Sequence, residues 1–224
     1  MKKVLVTAGA TITMIDKVRG ITNIFQGKTG SGIADYFSQK GSEVTLITSN
    51  SAIAPSNVRV VKYKTYNELF WAMEKEITEG EYDIIIHSSA VSDYEIETIY
   101  GVPKGHLVRD TSSWIEIDRS KKIPSSLFEE LIIVTSLTEK IVDKIRKPWG
   151  FQGDLVKFKL QVGISDEELI KIAKKSRVDS DAEMIIANCL EWSGQYAYMI
   201  DDSESPKRVS REEIAEEIFK RIQK

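Results

Sequence analysis

The chain is 224 residues long, 42% of them apolar, with a formal net charge of −3. That supplies enough apolar side chain for one large buried core, and the slightly negative balance argues against a broad nucleic-acid footprint. One cysteine, Cys189, excludes an internal disulfide and a cysteine-rich zinc site, so a reduced, cytoplasmic setting is expected.

After Met1 come Lys2 and the run "KVLVTA" (Lys3–Ala8). Gly9 and then Asp16, Lys17 and Arg19 interrupt it, too soon for the 7–15 apolar residues of an export signal. It reads as a first β-strand. No apolar run approaches the roughly 18 residues of a membrane helix. A glycine-bearing stretch from Gly9 to Ala34 follows and passes into a helix. Ile33, Ala34 and Phe37 share one face of that helix, and Gly41 ends it.

Further strands are "EVTLITS" (Glu43–Ser49), "VRVVKY" (Val58–Tyr63), "YDIIIHSS" (Tyr82–Ser89), "LIIVTS" (Leu131–Ser136), "LVKFKL" (Leu155–Leu160) and "EMIIANC" (Glu183–Cys189). Several are continuous apolar runs, as in a parallel sheet covered on both faces. Thr65 with Glu68, Ser165 with Glu168 and Ser210 with Glu213 have capping-box spacing at helix starts. After the last of these, Ile214, Ile218, Phe219 and Ile222 form an apolar stripe that marks a core-facing helix. The stretch Tyr94–Pro124, with Gly101, Pro103 and Gly105, shows no sustained period and reads as a mobile flap. "YAYMI" (Tyr196–Ile200) suggests a late antiparallel strand.

The alternation predicts an α/β, doubly wound, mostly parallel, Rossmann-like sheet in a single domain over residues 1–224, with the flap inserted at about 94–124. Ligands of such sheets sit at the carboxyl ends of the strands, so residues just after strands are the first candidates.

The glycine stretch is neither of two common phosphate motifs. A P-loop needs four residues between its first glycine and Gly-Lys-Thr; here six separate Gly20 from Gly27-Lys28-Thr29. A dinucleotide fold needs an acid after the second strand, but "LITSN" ends without one. Tyr36 with Lys40 falls in the first helix, and Tyr100 with Lys104 spans Gly101 and Pro103, so the tyrosine–lysine pair of a reductase is missing. What remains is a loop leading to a helix N-terminus at Gly30–Gly32, where free N–H groups favour an anion.

In order along the chain, "GATITMIDKVRGITN…GKTG", "SSAVSDY" (Ser88–Tyr94), "KIPSS" (Lys122–Ser126), "FK" (Phe158–Lys159), "IAKKS" (Ile172–Ser176) and "IIAN" (Ile185–Asn188) resemble the phosphopantothenate–cysteine ligases, in the stand-alone bacterial form. The resemblance covers nearly the whole chain. It implies a homodimer that activates the carboxylate of 4′-phosphopantothenate with a nucleoside triphosphate, CTP or ATP, and then joins it to L-cysteine. It implies Mg2+ carried by the nucleotide, with no metal ligand from the protein and no nucleic-acid or membrane partner.

By the same resemblance Asn23 stabilises the acyl intermediate and Lys122, with Lys121 as a neighbouring alternative, is the flap lysine that neutralises the triphosphate. Arg19 reaches across the dimer to the substrate phosphate, and Ser89, Ala90 and Asp93 contact the pantothenate portion. Gly9, Gly27, Gly30, Phe158, Lys175 and Asn188 surround the nucleotide. His87 and His106 have no ligand spacing and receive no role. The chain departs from the pattern at Ala10, Phe25, Gln26, Lys157, Asp179 and Cys189. Phe25 removes a hydroxyl and Asp179 places a negative charge where a lysine is expected, which leaves nucleotide choice open. A dinucleotide- or flavin-binding reductase and a non-catalytic paralogue are the alternatives.

Overall fold

A computed structural model describes residues 1–203 and 205–222. In chain order the elements are β1 (Lys3–Ala8), β2 (Ile12–Met14), β3 (Gly20–Thr22), α1 (Lys28–Gln39), β4 (Glu43–Thr48), β5 (Arg59–Lys62), α2 (Tyr66–Glu79), β6 (Ile84–His87), β7 (Tyr94–Val102), β8 (Ile115–Glu116), β9 (Glu130–Leu137), α3 (Val142–Arg146), β10 (Asp154–Gln161), α4 (Asp166–Asp179), β11 (Met184–Cys189), β12 (Tyr196–Ile200), β13 (Lys207–Ser210) and α5 (Ile214–Ile222). Eight strands form the main sheet in the order β13-β12-β11-β10-β6-β1-β4-β5. The six from β5 to β11 are parallel, and β12 and β13 add an antiparallel ribbon at one edge.

Alternate residues of β1 serve two cores. Val4, Val6 and Ala8 meet Ile33 and Phe37 of α1 and Ile218 of α5 on one face. Leu5 faces the other way, into a cluster with Leu69 and Met73 of α2 and Ile145 of α3. Burial on both faces is why the strand reads as an unbroken apolar run. The expected α/β doubly wound fold is the one observed, and "YAYMI" is the antiparallel β12.

Two expectations change. "LIIVTS" belongs to β9, which pairs with β7 in a separate three-stranded antiparallel sheet ordered β8-β7-β9. The stretch 94–124 therefore carries β7 and β8. Its far end is tied to the β2–β3 hairpin, because the Arg119 guanidinium donates to the carbonyls of Met14 and Ile15, and to its own sheet through the Ile96 carbonyl of β7. Ile123 donates its N–H to Asp16 Oδ2 at 3.0 Å. No described helix is long and apolar enough to cross a membrane.

The strand order reverses between β1, whose next parallel strand β4 lies to one side, and β6 on the other. Beyond their carboxyl ends the pairing continues. Ala90 N–H donates to the Gly9 carbonyl at 2.8 Å, and Thr11 N–H donates to the Ala90 carbonyl at 3.2 Å. This holds the loops after both strands side by side at the crevice where open α/β sheets bind ligands.

Candidate active site

A cleft of about 670 Å3 opens at that crevice. Gly9, Asn23, Gly27, Ser89, Ala90, Asp93, Phe158 and Asn188 all line it, so eight of the twelve predicted positions converge on one place. They come from the ends of β1, β6 and β11, from β10, and from the loop into α1. Gly27 is the N-cap of α1 with φ +83°, a left-handed conformation that glycine adopts without strain. A Cβ there would lie 2.4 Å from the Gly9 nitrogen, so the two glycine turns touch. The helix starts at Lys28, two residues earlier than its glycines suggest, and its first turn has no acidic residue. Free N–H groups and the positive end of the helix dipole thus face the cleft uncompensated.

Three cations that sequence reasoning left without a role share this rim: Lys28, Lys159 and Arg211. Arg211 Nη1 donates to the Ser193 carbonyl at 2.6 Å and its Nη2 donates to Thr29 Oγ1 at 2.9 Å. Lys28 and Lys159 sit inside matched motifs and were visible there as charges. Arg211 lies in no motif, and only the folded β12–β13 ribbon brings it to α1.

The Asn23 side-chain amide donates to the Ala90 carbonyl at 3.5 Å. The turn after β6 is held from beneath by Thr7, whose Oγ1 accepts the N–H groups of Ser88 and Ser89, both at 3.1 Å. With both lone pairs used, the Thr7 hydroxyl donates to His87 Nδ1 at 2.9 Å. His87 is therefore a neutral imidazole carrying its proton on Nε2. Burial, and after it the Lys157 ammonium on the neighbouring strand, pushes its pKa down to about 4.

Gly30 is buried and packs α1 onto β1, where a Cβ would meet Ala8 Cβ at 2.7 Å. Lys175 is exposed in the second half of α4 and does not line the cleft. Arg19 and Lys122 do not line the cleft either. Arg19 lies beside Asp16 and donates from Nε to Asp16 Oδ2 at 3.0 Å and from Nη2 to the Ile123 carbonyl at 2.9 Å. That guanidinium, together with the N–H groups of Ile123, Val18 and Arg19, holds the Asp16 carboxyl far below the usual carboxylate range. Lys122 is exposed, one residue before the anchored Ile123. Among the described residues no group of three His, Cys, Asp or Glu is placed to hold a metal.

A family profile described as the DNA/pantothenate metabolism flavoprotein C-terminal domain matches residues 1–224. The chain belongs to that family. Two relatives are proteins named coenzyme A biosynthesis bifunctional protein CoaBC. The one from Thermococcus kodakarensis is 31% identical over 100% of this chain and 51% of its own length. The one from Methanocaldococcus jannaschii is 30% identical over 99% and 50%. The chain spans about half the length of these curated relatives. Among solved structures, a DNA/pantothenate metabolism flavoprotein from Streptococcus pneumoniae superposes with a TM-score of 0.82 and 31% identity, covering 100% of this chain and 99% of that one. A Cab2 variant solved in complex with phosphopantothenate-cysteine shares the fold at a TM-score of 0.73 and 16% identity, covering 99% of this chain and 86% of that one. The fold of this chain is thus the family's fold.

Proposed function

We propose that this chain is a phosphopantothenate–cysteine ligase of coenzyme A biosynthesis. It joins 4′-phosphopantothenate to L-cysteine through an acyl-nucleotidylate made from CTP or ATP. The observation that carries the reading is the cleft itself, which gathers three cations, the free N–H groups at the start of α1, Asn23 and the Ser89–Asp93 turn in one place. Membership of the family supports it, as do the relatives named for coenzyme A biosynthesis and the fold shared with a protein that binds phosphopantothenate-cysteine.

The triphosphate, with its magnesium, lies at the start of α1 against Gly9, Gly27, Lys28, Lys159 and Arg211, with Phe158 and Asn188 flanking the nucleoside. The substrate carboxylate attacks the α-phosphorus, forms the C–O–P link and expels pyrophosphate. The cysteine amine then attacks the acyl carbon, loses a proton, and the nucleoside monophosphate departs with the bonding pair. Negative charge builds on oxygen in both steps. The Asn23 amide is a preorganised donor for it, of a kind worth about 3–4 kcal/mol in the transition state.

Arg19 reaches the substrate phosphate from the partner protomer of a cytoplasmic homodimer. Lys122 approaches the triphosphate once ligand is bound, and Gly30 and Lys175 serve the nucleotide indirectly.

Pyrophosphate release tests the reading. It is expected only when phosphopantothenate is present with CTP or ATP, and product should form only when cysteine is added. Release that ignores phosphopantothenate would overturn the assignment.

A further inference from the structure

The turn after β6 is also fixed by a phenol that does not line the cleft. Tyr63, directly after β5, is only 4% exposed. Its oxygen lies 3.0 Å from the Ala8 carbonyl oxygen and 3.1 Å from Ser89 Oγ. A phenol has one hydrogen to give. The Ala8 carbonyl can only accept, so it takes that hydrogen. Ser89 then has to donate its own hydrogen to the Tyr63 oxygen, because any other orientation sets lone pair against lone pair at 3.1 Å. The Tyr63 oxygen has a second lone pair, so the nearby Ser49 hydroxyl does not displace Ser89. Burial raises the Tyr63 pKa, which keeps the phenolic hydrogen in place around neutral pH. Ser89 therefore faces the cleft with lone pairs only, and the Asp93 carboxylate in the same wall also accepts.

We infer that Tyr63 is a specificity-determining positioning residue: it sets Ser89 as an obligate hydrogen-bond acceptor, so the substrate segment against the β6 turn must present an O–H or N–H and not a carbonyl or phosphate oxygen. The inference rests on the ligase reading, under which the donor is either the pantoyl hydroxyl or the amide N–H of phosphopantothenate. It also orients the substrate. The donor-bearing middle lies on the β6 side, and the carboxylate points at Asn23 and the α1 N-terminus.

The test is calorimetric binding of phosphopantothenate to the full chain, beside two analogues. One has the pantoyl hydroxyl replaced by a ketone, and the other is methylated on the amide nitrogen. The wild type is expected to bind the natural acid about tenfold to a hundredfold more tightly than the analogue that loses the donor. Tyr63→Phe frees the Ser89 hydroxyl to turn and donate, and should shrink that ratio to about threefold or less. A purely structural role for Tyr63 would weaken all three ligands alike and leave the ratio standing, which overturns the inference. Should Tyr63→Phe fail to fold, Ser89→Ala decides: a collapsed ratio supports the inference and an intact one overturns it. Equal binding of all three ligands by the wild type overturns it as well. No binding of phosphopantothenate at all overturns the ligase reading and this inference together.

Discussion

Within the cleft lining the Asn23 amide donates to the Ala90 carbonyl at 3.5 Å, a long hydrogen bond that a ligand oxygen can replace. Asn23→Ala is expected to lower kcat by about 10²–10³ while changing the nucleotide KM little. Steady-state pyrophosphate release measures it, and unchanged turnover removes Asn23 from the chemistry. His87 behaves differently, because its effect is on folding. An imidazole whose pKa falls from 6.5 to about 4 on folding is held neutral by the native state, while the unfolded chain takes up the proton. Stability is complete above pH 6.5 and declines as pH falls towards 4, by on the order of 3 kcal/mol in total. His87→Gln should flatten that decline in urea denaturation between pH 7 and 4.5; an equal slope in both proteins would refute the buried neutral state. Asn23, Ser89 and Asn188 were legible in the sequence because each stands in a matched motif beside a strand or loop end. His87 was not, since its partner is the Thr7 hydroxyl, itself fixed by the Ser88 and Ser89 N–H groups, and no spacing rule reports such contacts.

Helix α1 brings its free N–H groups to the cleft by lying close to β1. At Gly30 an added Cβ would meet Ala8 Cβ at 2.7 Å and the Thr7 carbonyl oxygen at 2.8 Å, and neither backbone can yield without moving the helix. Gly30→Ala is therefore expected to cost about 1–3 kcal/mol in urea denaturation and to raise the nucleotide KM, since the helix end moves away from the cleft. A stable variant with unchanged KM would show that the approach is not required. The elements with strong local chemistry were readable. Thr65 and Glu68 form a complete capping box at α2, and Ser165 accepts the Glu168 N–H at α4. The small sheet was not readable. The apolar run of β9 resembles a core strand, yet its residues are half-buried or exposed and pair with β7. An apolar run reports that a strand exists without reporting which sheet takes it. Arg119 and Ile123 then anchor the segment through contacts to the β2–β3 hairpin, more than 100 positions away in the sequence.

Across the whole molecule, contacts between residues distant in the chain fix side chains that local sequence leaves free. Arg19 is held by Asp16 and by the Ile123 carbonyl, so its guanidinium is ordered before any phosphate arrives. If it serves the neighbouring protomer, Arg19→Gln should weaken phosphopantothenate far more than unphosphorylated pantothenate in a competition assay; equal losses would refute the phosphate role. Arg211 joins the last strand to the first helix, with 182 positions between it and Thr29. The β12–β13 ribbon thereby borders the cleft as well as forming the sheet edge. A charged donor lost from an anion site costs about 1.5–3 kcal/mol, so Arg211→Gln is expected to raise the nucleotide KM roughly tenfold to a hundredfold, with a smaller change in kcat. Because the same side chain also ties Ser193 to Thr29, the variant's urea midpoint must be measured beside its kinetics. A lowered midpoint with an unaltered KM would make Arg211 a strut between the two ends of the chain, whereas a raised KM at an unaltered midpoint assigns it to the triphosphate.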